Sequence, residues 1–135
     1  MASPIYAGFA TDAPRAIDWW ESAAGEAAVQ QLAKSGVTIV PTLVRYEASI
    51  AAASSAELRT ARAGLMPQLL ELVGRLHRAG VPILVGSDLV GLAGAPPPEA
   101  GPAREMQLLE AAGLSPDAAR AAGSAQALER WFRNP

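Results

Sequence analysis

One stretch constrains this chain more than any other: His77-Arg78-Ala79-Gly80-Val81-Pro82-Ile83-Leu84-Val85-Gly86-Ser87-Asp88. It reads as a helix end, a tight turn, a buried strand, and an acid on the exit loop. Gly80 suits the position just past a helix, where a left-handed backbone is needed. Residues 81–85 form a continuous apolar run, the pattern of a strand covered on both faces. A second run, residues 37–43, follows Gly36 and is β-branched and apolar. Pro41 cannot donate to a ladder and belongs near that strand's end or at an irregularity. Between the two runs lies a long helical pattern. Met66, Leu69, Leu70, Val73 and Leu76 fall at helical spacing, and Pro67 predicts a kink or restart near Gly64. Strand, helix, strand in this order predicts an α/β fold with two adjacent parallel strands and a right-handed crossover.

The flanks add helices. Asp12 and Pro14 form a helix start, and a helix is expected over residues 13–34, with a break at Gly25. Trp19 and Trp20 point about 100° apart on such a helix, so one packs and the other sits at an edge. A short helix is expected over residues 46–54, and Ser55 with Glu57 starts a stronger one. Residues 89–101, with Ala95-Pro96-Pro97-Pro98, form a long stiff loop. Pro102 opens a helix with Met106, Leu108 and Leu109 on its apolar side. Ser115-Pro116-Asp117 is a cap, a first-turn proline and an early acid. Trp131 and Phe132 are expected to pack. Residues 1–12 carry little pattern and are read as a poorly ordered lead-in to one domain over 13–135.

Composition excludes several classes. With 135 residues, one domain is the default, and half the residues are hydrophobic. The net charge of −2 gives no electrostatic case for nucleic acid. The absence of cysteine rules out disulfides, thiolate zinc sites and cysteine nucleophiles. No apolar run approaches the roughly 20 residues that span a bilayer. The start of the chain lacks a basic segment followed by a long apolar one, so no signal peptide is read and the cytoplasm is the default compartment.

Four segments resemble the metal-dependent amidohydrolase superfamily. Residues 79–88 are similar to its last barrel strand. Arg104-Glu105-Met106-Gln107-Leu108-Leu109 and Ala112-Gly113-Leu114-Ser115-Pro116 are similar to the helix that follows it after a loop. Gly36-Val37-Thr38-Ile39-Val40-Pro41-Thr42-Leu43 is similar to an earlier strand. The resemblance implies part of a (β/α)8 barrel: its last two parallel strands with their helices. A complete barrel takes about 250 residues, so the chain would be a fragment. The family hydrolyses C–N bonds (amide or cyclic amide) or ester bonds of small molecules with a divalent metal, usually zinc. Its aspartate at the place of Asp88 is both metal ligand and base. Resemblance thus makes Asp88 the candidate catalytic and metal-binding residue. The family's His-x-His pair is missing, and His77 is the single histidine. His77 precedes the strand and Asp88 follows it, so the two are not expected to share a site. One carboxylate cannot hold a catalytic zinc, which takes about three protein ligands. The chain alone is therefore expected to bind no metal and to be inactive. The alternative is a non-catalytic α/β module that self-associates or pairs with a complementary chain. Two parallel strands alone leave open edges that such pairing would cover.

Overall fold

The computed structural model describes residues 18–89, 91 and 95–133. The expected start at Asp12 and Pro14 and the lead-in lie outside them. Helices carry the fold: α1 (Ala23–Ser35), α2 (Leu43–Ala51), α3 (Ala56–Arg78), a 3-10 turn (Pro98–Ala100), α4 (Gly101–Ala111), α5 (Pro116–Ala122) and α6 (Ala125–Arg133).

The expected α/β barrel fragment is not what forms. The described residues contain no strand, only one isolated parallel bridge between Ile39 and Ile83. Ile39 donates its N–H to the Pro82 carbonyl and accepts at its own carbonyl from Leu84 N–H, both at 2.9 Å. The two runs are thus neighbours and parallel, but they do not make a ladder. The reason is covalent. In a parallel register, the rung before this bridge needs an N–H at residue 82, and the rung after it needs one at residue 41. Both are proline, with no N–H to give. Beyond Pro41 the chain turns at Thr42 and starts α2 at Leu43. Val85 then spends its N–H on the Ala122 carbonyl of α5, at 3.0 Å.

The turn before the second run forms as its sequence suggests. Gly80 has φ +88, Gly80 N–H reaches the His77 carbonyl, and Val81 N–H reaches the Leu76 carbonyl. That is a Schellman closure, and Leu76 and Val81 make the apolar contact that accompanies it, both buried in one cluster.

Several local boundaries differ from expectation. The first helical segment breaks at Ser22, not Gly25. Ser22 Oγ accepts from Gly25 N–H and caps α1. Gly25 is instead a packing site, where a Cβ would stand 2.3 Å from the Trp20 carbonyl oxygen. Helix α3 runs unbroken through Pro67. Pro67 removes one backbone N–H from the helix, and its neighbours Met66, Leu69 and Leu70 pack against the larger core. Ser55 and Ser115 cap α3 and α5, with Leu58 N–H and Ala118 N–H as donors at 3.1 Å.

Helix α4 is the centre, in contact with α2, α3, α5 and the 3-10 turn. The larger core lies there, around Leu43, Val44, Val73, Leu108, Leu109 and Ala119. A smaller cluster of Val29, Leu76 and Val81 holds α1 to α3.

Candidate functional site

Asp88 stands at the exit of the second run, where the resemblance places a catalytic acid. Its backbone is left-handed, at φ +43. Thr42, at the same end of the neighbouring run, is left-handed too, at φ +50. A β-branched residue there is an outlier, and such strain persists only where the surroundings impose it. Arg45, in the first turn of α2, ties the two exits together. Its Nε lies 3.3 Å from Asp88 Oδ2, and one of its Nη atoms donates to the Asp88 carbonyl. The Asp88 side chain is 62% exposed. Neither Glu47 nor Glu71 takes Arg45. Glu47 binds Arg104 and Glu71 binds Arg78.

What holds this corner is Glu105, a residue the sequence marked only as part of a motif. It is fully buried on α4, and its oxygens accept from Leu43 N–H at 3.0 Å and Val44 N–H at 2.7 Å. Those are first-turn amides of α2, whose own N-cap, Thr42, offers no side-chain bond. A carboxylate at that end also meets the positive pole of the helix. Burial pushes the Glu105 carboxyl above its usual range, and the two amide bonds oppose that rise. Arg104 completes the clamp from the same turn, with a two-pronged bond to Glu47 on α2 at 2.8 and 2.6 Å. That bond holds the Glu47 carboxyl below its ordinary range.

As a metal site, this corner does not fit. Among the described residues, no group of three or more His, Cys, Asp or Glu is placed to hold an ion. Asp88 faces a guanidinium, Glu105 is committed to backbone amides, and His77 lies in the last turn of α3, across the second run from Asp88. A lone carboxylate with its charge already met is a poor ligand set for a divalent cation.

A second feature is more fully built. An apolar groove of about 560 Å³ lies between α1, α2 and α3, floored by residues 39–43. Leu65, Leu69, Leu72 and Leu76 of α3 line it, together with Trp20 and Leu32. Its polar lip is Arg45, Tyr46, Ser49 and Arg62. Tyr46 donates to the Arg62 carbonyl at 2.9 Å, and Arg62 donates to the Ser49 carbonyl at 2.6 Å. Burial pushes the Tyr46 hydroxyl up, against the pull of Arg62. Trp20 packs here, while Trp19, edge-on to it at 5.0 Å, is 46% exposed. The sequence did hold a signal for this groove. Leu65 and Leu72 widen the apolar arc of α3 to about 160° at 100° per residue, more than one core contact requires.

No family model, curated protein or solved structure matches this chain.

Proposed function

We propose that this chain is a non-catalytic association module, whose apolar groove is covered by a second polypeptide. The groove itself carries the reading. Leucines from α3 line it, yet no described element fills it, and Val40 on its floor is 40% exposed. Open apolar surface of this kind marks a binding site more often than a fold defect. Sedimentation of the purified chain over a wide concentration range tests it. The expected result is association that grows with concentration and is indifferent to a chelator. A single monomeric boundary at every concentration would overturn it.

A second reading keeps the hydrolase resemblance. It rests on Asp88, an acid in left-handed backbone beside a second left-handed residue, at the common end of two parallel segments. Such clusters of strain gather at active sites. The ligand set weighs against it, so no metal-dependent step follows from these residues. Calorimetric titration with zinc separates the two readings. The module reading expects no tight stoichiometric binding. Tight binding in the wild type that vanishes in Asp88→Asn would restore the hydrolase.

A further inference from the structure

The last helix supplies an occupant for the groove. Among the described elements, α6 touches only α5, and Ala127 is its one buried residue. Leu128, Trp131 and Phe132 fall at i, i+3 and i+4, so they share one face. They are 46%, 40% and 68% exposed, and Trp131 and Phe132 meet edge to face, at 4.9 Å. An amphipathic helix with anchors at this spacing is the usual guest of an apolar groove. Tryptophan is also the residue most often found to anchor an interface.

Charge points the same way. Arg62, on the lip of the groove, pairs with no carboxylate among the described residues. Glu129 borders the apolar face of α6 and is held only loosely by Arg133, at 3.7 Å, with both side chains mostly exposed. We propose that the partner is a second copy of this chain, which lays Leu128, Trp131 and Phe132 of its α6 into the groove and brings Glu129 to Arg62.

This inference rests on the association reading and deepens it. Because α6 contacts none of α1, α2 or α3, the donated helix and the receiving groove are separate surfaces of each copy. Contact between them is head to tail. Such contacts close into rings, of which a reciprocal two-membered exchange is the smallest, or run on as open chains.

Two half-blind variants test it. Trp131→Glu with Phe132→Glu removes the donor and alters only exposed side chains. Leu65→Glu blocks the groove at a residue outside both core clusters, and Val40→Glu does the same from the floor, at an exposed position. Each variant alone should be monomeric by sedimentation, with the helical circular dichroism of the wild type. Mixing a donor-blind with a groove-blind variant should give a one-to-one heterodimer and nothing larger, since one intact helix and one intact groove remain. Arg62→Glu should weaken association at least about tenfold, and Glu129→Arg in the same chain should recover it. If the donor-blind variant associates like the wild type, α6 is not the guest, although the association reading survives. If only the donor-blind variant is monomeric, the helices pair with each other and the groove assignment is overturned. A wild type that never associates removes both.

Discussion

Glu105 is fully buried, and both of its oxygens answer amides at the start of α2. Glutamine in its place keeps the volume but turns a donor toward one of those amides. Glu105→Gln should therefore cost about 1–3 kcal/mol, the range for a buried donor left unpaired. The pH dependence has a definite sign. A carboxyl whose folded pKa is raised binds more protons in the native state, so the contribution of Glu105 to stability falls as pH climbs above the ordinary value of 4.5. The glutamine variant lacks that slope. The gap between the two, read from denaturant midpoints, should be widest in acid and narrow as pH rises; a gap that widens instead would show the folded pKa to be lowered. At this scale, short-range chemistry was legible in the sequence. Ser55, Ser115 and Gly80 act within a few residues of themselves, and each does what its neighbours imply. Glu105 was not legible, because the amides it serves are 62 and 61 residues away. Nor was the role of Arg45, whose partner Asp88 is 43 residues on. The place of Asp88 at the exit of an extended run was readable; its guanidinium partner was not.

Two prolines decide the elements. The apolar runs at 37–43 and 81–85 have strand composition, and they do lie parallel. Pro41 and Pro82 delete the N–H groups on either side of the Ile39–Ile83 bridge, so the pairing stops at one bridge and helices take the rest. Pro41 was readable as an irregularity; that Pro82 removes the opposite rung follows only once the register is known. Helix α3 offers a direct check on the packing that results. At Gly74 a Cβ would stand 2.2 Å from the Ala112 carbonyl oxygen, where α3 crosses the end of α4. At Gly64, on the exposed part of the same helix, it would meet nothing within 4 Å. Gly74→Ala should therefore destabilise by about 1–3 kcal/mol through overpacking. Gly64→Ala should stabilise by about 0.5–1 kcal/mol through helix propensity. Thermal unfolding of the pair checks both signs, and equal effects would mean that α3 and α4 do not meet at Gly74.

For the whole molecule, the balance lies between a corner that resembles a catalytic site and a groove without an occupant. The corner is held by Arg45, Glu105 and Arg104, all spent on structure. The groove and the face of α6 both leave apolar side chains open, on surfaces that no described element joins. The measurement that separates them most directly is amide hydrogen exchange on the wild-type chain, dilute and concentrated, each with and without zinc. Association through the groove predicts that peptides spanning residues 39–46, 61–76 and 125–133 exchange more slowly in the concentrated sample. Those around Asp88 should stay unchanged, and zinc should have no effect. Exchange that ignores concentration, but slows around Asp88 only when zinc is added, would contradict it.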